Sequence, residues 1–363
     1  MFKLRDGDNP SVRFQGLPEY LKTQIRELPT PFFLFDLDVI SKKLVILRNV
    51  LHPDCVAYAI KCNSHPQILN HLSELDIHFE VNNKAELDSL NGLGVESHRV
   101  INSSPLVSYS DIKAMYANGV NTFCVDCLEQ LENLTVNAPE CNVFFRIFTS
   151  NSGSKFNLSA KLGMNPNKVP ELYNVACDRG LNPFGITFHV GSQCLNVKNW
   201  EEGIKEAASL FNNLKRLDTL NIGGGLPIDY GKSKLEINEI AATVHSTIEK
   251  YFLKRPALVV EPGRYLVGDS AMTVSRILQT TKSEEKNRAI ADISVFAGLL
   301  ELIEIDNFEY PVETDAEGPL CHYCIGGPSC AGSDILIHSV YLPELKACFD
   351  DSFRNSRIFL RNT

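Results

Sequence analysis

The stretch VAYAIKCN at residues 56–63 has the pattern of a short buried β-strand that ends on a lysine. Its first five residues are apolar or aromatic without inside-outside alternation, which is typical of a strand covered on both faces. Lys61 follows at the mouth of that strand, where desolvation would lower the pKa of its amine and make it a nucleophile. Because a lysine at a strand end is also an ordinary surface charge, the rest of the chain must decide between these interpretations.

Seven further runs of the same kind follow along the chain, and segments with helical periodicity lie between them. Crossover helices between buried strands make a sheet parallel. Eight such βα units predict an α/β fold with a closed (β/α)8 barrel, and the count of eight favours it over an open doubly wound sheet. The seven runs are residues 77–81, 99–102, 122–126, 143–147, 185–190, 219–222 and 258–261.

The chain of 363 residues is long enough for such a barrel and a smaller domain. We place the barrel at residues 37–265. Beyond it the pattern changes to strand-like runs without convincing helices. Residues 1–36 and 266–363 are therefore predicted to form a smaller β-rich domain, to which the N-terminal segment contributes a strand.

Composition excludes several classes of partner. With 44 acidic and 35 basic residues the formal net charge is -9, which argues against nucleic acid, because phosphate binding needs a clustered basic surface. The polar N-terminus and the lack of a long apolar run predict no signal peptide and no membrane span. Eleven cysteines, mostly inside apolar stretches, fit reduced thiols better than disulfides, and we predict a cytoplasmic protein that acts on a small molecule.

Polar or glycine-rich residues follow several strands, where a barrel carries its active site. Residues 223–225 form a glycine turn that could cradle a phosphate, although most such turns are only tight connections. His189 and Glu261 end two other strands; alone, each would be an ordinary structural residue. Together with Lys61, they supply what pyridoxal phosphate needs: a Schiff-base amine, a ring-stacking group, a phosphate cradle and a partner for the pyridinium nitrogen.

With these motifs the chain resembles the fold type III, alanine-racemase-like pyridoxal phosphate enzymes, in the branch of ornithine, diaminopimelate and arginine decarboxylases. The resembling segments are YAIKCN at 58–63, HVGS at 189–192, GGG at 223–225, EPGR at 261–264 and GPSC at 327–330 with Asp334. They occur in the order that the family has.

The resemblance implies a role for each of these residues. Lys61 would form the Schiff base, His189 would stack on the ring, and Glu261 would pair with the ring nitrogen. The cofactor would be pyridoxal 5'-phosphate. The enzyme would use it to decarboxylate an L-amino acid of the ornithine, lysine, arginine or diaminopimelate type, or a modified analogue. Its phosphate would be held, with Arg146 nearby, by Ser192, Gly223, Gly224, Gly225, Gly263 and Arg264.

The resemblance also implies a homodimer with shared active sites. Cys330 would arrive from the partner subunit as the acid that protonates the carbanion, and Lys161 would pair with the partner's Asp334. A zinc site built from Cys321, Cys324 and Cys330 is the competing interpretation. Since no second cysteine pair follows, we predict no metal.

Three features depart from the family's pattern. Ala331 follows Cys330 where the family usually has an acidic residue that reads the distal group of the substrate, and Gln193 stands at a usual glycine position. Glu301, Glu304 and Asp306 are possible replacements for the missing acid. The chain also stops without the family's Gly-Ala-Tyr motif, from which we expect weaker cofactor binding or an incomplete second domain. A decarboxylase-like regulatory protein and an amino acid racemase therefore remain as alternatives.

Overall fold

The structure is a computed structural model that describes residues 13–156, 161–230, 235–305, 307–347 and 355–361. It divides into two compact units. The first comprises residues 1–40, 230–232 and 267–363, and the second comprises residues 41–229 and 233–266. The sequence-based limits, residues 37–265 for the barrel and residues 1–36 with 266–363 for the smaller domain, stay predictions.

The second unit contains eight parallel strands that follow one another around a nearly closed barrel, as predicted. Each strand except the third pairs with the next one along the chain, and the last pairs with the first through Val259 and Cys55. Between the third and fourth strands, which are not paired in a ladder, the Asn102 N–H donates to the Thr122 carbonyl over 2.9 Å. The strands are β2 (Cys55–Ala59), β3 (His78–Glu80), β4 (Val100–Ile101), β5 (Thr122–Val125), β6 (Asn142–Arg146), β8 (Asn182–Thr187), β10 (Thr219–Asn221) and β11 (Ala257–Val260).

Helices alternate with these strands. Several begin at side chains that cap a backbone N–H, such as Asn83 before α4 and Ser108 before α5. Two short strands, β7 (Ser154–Phe156) and β9 (Ser192–Cys194), form an antiparallel pair beside the barrel sheet. The helices are α2 (Leu37–Leu51), which starts in the first unit, α3 (Pro66–Ser73), α4 (Lys84–Asn91), α5 (Tyr109–Ala117), α6 (Leu128–Asn137), α7 (Val169–Asp178), α8 (Lys198–Phe211), α9 (Ile237–Tyr251) and α10 (Arg264–Val267).

The first unit is built on a seven-stranded sheet, which confirms the predicted β-rich character. Its N-terminal strand β1 pairs antiparallel with β12, so the N-terminal segment does contribute a strand. Two helices also occur here, α1 (Glu19–Glu27) and α11 (Glu301–Glu304). The strands are β1 (Phe32–Phe35), β12 (Ala271–Thr281), β13 (Asn287–Ala291), β14 (Val312–Thr314), β15 (Leu320–Gly326), β16 (Ile335–Pro343) and β17 (Arg357–Arg361).

None of the ten cysteines within the described ranges forms a disulfide bond. Among them Cys124, Cys141 and Cys194 are buried, whereas Cys330 is exposed. No helix of the described residues is both long and apolar enough to cross a membrane.

Candidate active site

Lys61 lies in a single 3-10 turn, Ile60–Cys62, directly after β2. Its Nζ donates a hydrogen bond to Glu80 Oε2 over 3.2 Å. Half of the lysine side chain is exposed (51%), whereas the carboxylate partner at the end of β3 is 1% exposed. The lysine therefore stands at the mouth of the barrel, and a neighbouring strand supplies its counter-charge.

The pKa of Lys61 is raised, so the prediction of a lowered value was wrong. Burial of the amine acts to lower its pKa, but the negative charges of Glu80 and Glu261, with the hydrogen bond to Glu80, outweigh that effect. The stretch 56–63 contains neither carboxylate. The barrel brings both of them from other strands, which local sequence cannot show.

Glu261 immediately follows β11 and is 7% exposed. Its Oε1 accepts a hydrogen bond from Asn221 Nδ2 over 2.6 Å. Burial and the nearby charge of Glu80 raise the pKa of Glu261, against the hydrogen bonds from Ser103 and Asn221 and the charge of Lys61. A buried carboxyl group of this kind gains most from a cationic partner, such as a pyridinium N–H.

The glycine turn at residues 223–225 packs against the end of β11. The Glu261 N–H donates to the Gly223 carbonyl over 2.8 Å. A Cβ on Gly224 would lie 2.5 Å from the Glu261 carbonyl oxygen, so a side chain is excluded there. Gly223 and Gly225 have φ angles of +65° and +82°, which other residues rarely adopt. The turn is thus bare backbone, as a phosphate cradle requires.

His189 follows β8 and is partly buried. Its Nδ1 accepts a hydrogen bond from the Gly191 N–H over 3.0 Å. Burial, followed by the positive charges of Arg146 and Lys61, holds the pKa of His189 well below its usual value. The imidazole is therefore neutral at physiological pH, a state suited to stacking on an aromatic cofactor ring.

Ser192 and Arg264 are brought together from two separate segments, since Arg264 Nε donates to Ser192 Oγ over 3.3 Å. Gly263, just before that arginine, packs against Cys62: a Cβ there would lie 2.9 Å from the Cys62 Cβ. The segment that contains Gly263 and Arg264 therefore packs against the segment that carries Lys61.

Gln193 shows how the chain accommodates its departure from glycine. Its φ angle is +52°, so the backbone keeps the left-handed conformation that favours glycine. The buried side-chain amide donates to the Ile228 carbonyl over 2.6 Å and accepts from the Ile228 N–H over 3.0 Å. These two hydrogen bonds offset the cost of the strained backbone.

Lys161, Cys330 and Asp334 are described on their own units. Lys161 is exposed on the barrel unit. Cys330 is exposed and Asp334 is 2% exposed, both on the first unit. The Asp334 carboxylate accepts hydrogen bonds from the N–H groups of Val295 and Ser329 over 2.9 and 3.1 Å. The proposed dimer pair and the acid role of Cys330 stay predictions.

Two cysteines of the alternative zinc motif, Cys321 and Cys324, lie on β15, and Cys330 follows in the next loop. Within the described ranges, no three His, Cys, Asp or Glu side chains are grouped so that they could hold a metal ion. Of the possible replacement acids, Glu301 receives a hydrogen bond from Tyr310, and both lie on the first unit. Asp306 lies outside the described residues.

Sequence reasoning missed two site residues, Glu80 and Asn221. Both are polar residues at the C-terminal ends of apolar barrel strands, which was a usable signal. In the sequence, Glu80 lies within the apolar run 77–81 and Asn221 within the run 219–222. Since polar side chains are costly on buried strands unless they are paired, their position alone could have marked them.

The residues of the barrel fit pyridoxal phosphate. Glu80 Oε1 is buried and has no hydrogen-bond partner among the described residues, so the pocket presents an unused acceptor close to Lys61. The buried Glu261, the neutral His189 and the bare glycine turn complete a set for an amine-reactive, aromatic, phosphorylated group. A barrel with this set at its strand ends defines a pyridoxal phosphate enzyme of the (β/α)8 class.

Comparison with known proteins agrees. A family model for the pyridoxal-binding domain of pyridoxal-dependent decarboxylases matches residues 37–268. The lysine/ornithine decarboxylase of Selenomonas ruminantium is 31% identical over 331 residues, which cover 90% of this chain and 84% of the relative. Antizyme inhibitor 2 of Xenopus laevis is 28% identical over 336 residues, which cover 86% and 73%. The structure of SrLDC in complex with PLP and cadaverine has a TM-score of 0.85 at 29% identity, with 97% and 89% covered.

The chain belongs to the pyridoxal-dependent decarboxylase family. The predicted family, fold, enzyme class and cofactor are thereby confirmed, and pyridoxal phosphate is the cofactor of this barrel.

Proposed function

We propose that the chain decarboxylates an L-amino acid of the ornithine, lysine, arginine or diaminopimelate type, or a modified analogue, to an amine and CO2. The observation that carries the proposal is the buried Glu261 carboxyl group in the same barrel mouth as Lys61. Relatives named as lysine and ornithine decarboxylases support it. An amine from ornithine or lysine would serve polyamine biosynthesis.

Bound pyridoxal phosphate would supply an electron sink that accepts the electron pair left at Cα when CO2 departs. The chain's own residues make that sink effective. Lys61 would bind the cofactor aldehyde and yield to the substrate amine. Glu261 would keep a proton on the ring nitrogen, because its negative charge favours the protonated ring. His189, neutral and fixed through Nδ1, would cover one ring face.

The phosphate side would be held by the turn at residues 223–225 together with Ser192, Gly263 and Arg264, while Arg146 lies at the end of β6. Holding the phosphate would orient the bound cofactor relative to Lys61 and Glu261. Cys330 of the partner subunit would return a proton to Cα. The assembly would be a homodimer in which Lys161 pairs with the partner's Asp334.

We also propose a cytoplasmic location. The absence of a disulfide among the ten described cysteines supports it, because reduced cysteines are the rule in that compartment. The group at the distal end of the substrate is not specified, because Ala331 offers no negative charge to a second amino group.

A non-catalytic regulatory role is the second candidate, because antizyme inhibitor 2 is 28% identical over 86% of this chain. The presence of both Lys61 and Glu261 favours catalysis, since a pure binding protein has no chemical need for this pair. An amino acid racemase is a weaker alternative, because it would need a second base on the opposite face of the ring.

The deciding experiment is CO2 release from a panel of labelled L-amino acids, run with wild type, Lys61→Ala and Lys205→Ala. Lys205 is an exposed lysine on α8 and serves as the matched control. We expect release with wild type and the control, and none with Lys61→Ala, which should also lose the visible absorbance of lysine-bound cofactor. Cofactor absorbance without CO2 release from any amino acid of the panel would contradict the proposal. Inversion of an amino acid would indicate a racemase.

A further inference from the structure

Asn221, the last residue of β10, has a fully buried side chain that bridges two parts of the candidate site. Its Nδ2 donates to Glu261 Oε1 over 2.6 Å, and Ser103 Oγ lies 3.4 Å from the same nitrogen. Its Oδ1 accepts from the Gly223 N–H over 2.9 Å. A single side chain thus contacts both the carboxyl group for the ring nitrogen and the glycine turn for the phosphate.

An amide supplies both contacts at this place, because it carries a donor and an acceptor. A carboxylate accepts hydrogen bonds but cannot donate one to Glu261 unless it is protonated, and leucine can do neither. Since both neighbours are buried, each lost contact would leave a polar atom without a partner. The choice of asparagine at the end of an apolar strand therefore has a specific chemical reason.

The two parts also meet through the backbone, because the Glu261 N–H donates to the Gly223 carbonyl over 2.8 Å. That bond fixes the main chains but does not orient the Glu261 carboxyl group. Asn221 Nδ2 holds the carboxyl group itself at 2.6 Å, and Ser103 also donates a hydrogen bond to it. Of these two side chains, Asn221 is the one that also accepts from the Gly223 N–H of the glycine turn.

We propose that Asn221 is a positioning residue that holds the Glu261 carboxyl group and the first peptide of the glycine turn in a fixed relation. Ring and phosphate would then be recognised as one unit and not as two independent contacts. The inference rests on the proposed roles of Glu261 and of the turn, and it concerns cofactor binding alone. It therefore does not require that the amino acid substrate be known.

The test compares the dissociation constants of pyridoxal phosphate and of pyridoxal, which has the same ring without the phosphate. For Asn221→Asp we expect the affinity for pyridoxal phosphate to fall about 10- to 100-fold, because a carboxylate would face Glu261. The advantage of pyridoxal phosphate over pyridoxal should shrink as well. Asn182→Asp, an exposed change on β8, is the control and should leave both constants unchanged.

The double variant Asn221→Asp/Glu261→Gln exchanges donor and acceptor across the pair. It restores one donor facing one carboxylate, and the carboxylate at position 221 can still accept from the Gly223 N–H. We expect it to regain most of the preference for pyridoxal phosphate over pyridoxal. A merely structural role would affect thermal stability without changing this ratio, so an unchanged ratio in both variants would overturn the proposal.

A measurement on the unmodified protein covers the case in which Asn221→Asp does not fold. The Gly223 amide proton, labelled through glycine, should be strongly protected from solvent exchange in the cofactor-free protein, because it bonds to a buried side chain. Fast exchange at Gly223 would refute the bridge. If the ratio responds as expected while wild type releases no CO2 from any amino acid, the positioning role stands and the proposed function fails.

Discussion

The barrel mouth and the loop that carries Cys330 both contain a buried carboxyl group, and the two groups behave in opposite ways. In the barrel, burial and the neighbouring charge of Glu80 raise the pKa of Glu261. In the loop at residues 327–334, burial acts to raise the pKa of Asp334, but hydrogen bonds from Ser329 and Val295 outweigh it and lower the pKa.

The difference separates a group held for chemistry from a group held for structure. Glu261 is kept among like charges at a cost in stability, which is characteristic of catalytic sites. Asp334 organises its own loop, and Gly327 is required there because a Cβ would collide with its carboxylate. Each of the following changes tests one side of this contrast.

Glu261→Gln should have the largest effect. Without the charge facing the ring nitrogen, we expect kcat to fall about 100- to 1000-fold. The folded-state pKa of Glu261 lies above its unfolded value, so ionising it costs stability as pH rises above 4.5. The cofactor-free variant should therefore be more stable than wild type at pH 7 in urea unfolding. Glu202→Gln, exposed on α8, is the control; a less stable Glu261→Gln protein would contradict our reading of Glu261.

Gln193→Ala should have the next largest effect, on stability. The change leaves the buried backbone N–H and C=O of Ile228 without partners and keeps a Cβ at a φ angle of +52°. We expect a loss of about 2 to 3 kcal/mol in the free energy of unfolding. Gln193→Gly should lose less, because glycine tolerates that backbone. Equal losses would show that the backbone at Gln193 is unstrained.

The barrel and the first unit differ in how much of their structure the sequence reveals. The eight barrel strands, Lys61, His189 and Glu261 were predictable, because apolar runs ending in polar residues repeat with the barrel's own topology. The raised pKa of Lys61 and the bridge through Asn221 were not, since both depend on side chains that other strands supply. The individual strands of the first unit are also hard to delimit from sequence, because a mostly antiparallel sheet with one partly exposed face gives mixed patterns, as in β14 and β15.

Asp334→Asn should lower the free energy of unfolding by about 1 to 2 kcal/mol. The carboxylate accepts hydrogen bonds from two backbone N–H groups, and the NH2 group of an asparagine would face one of them. The folded-state pKa lies below 3.8, so the stabilisation is complete above pH 3.8 and disappears as pH falls through the folded-state value. Urea unfolding of wild type and variant should therefore differ at pH 7, and the difference should shrink as the pH falls below 3.8. Glu317→Gln, exposed on the same unit, is the control, and a constant difference at all pH values would argue against the carboxylate clamp.

Cys330→Ser should have the smallest effect on stability, within about 0.5 kcal/mol, because the thiol is exposed and carries no packing. Because Cys330 is exposed in a single chain, its reactivity also tests whether it enters the active site of a partner subunit. In a homodimer with cofactor, alkylation of Cys330 should slow as protein concentration rises through the dimer dissociation constant, while Cys321 on β15 serves as the internal reference. If Cys330 reacts at the same rate in dilute and concentrated protein, the loop does not enter a partner's barrel, and the proton at Cα must come from another group.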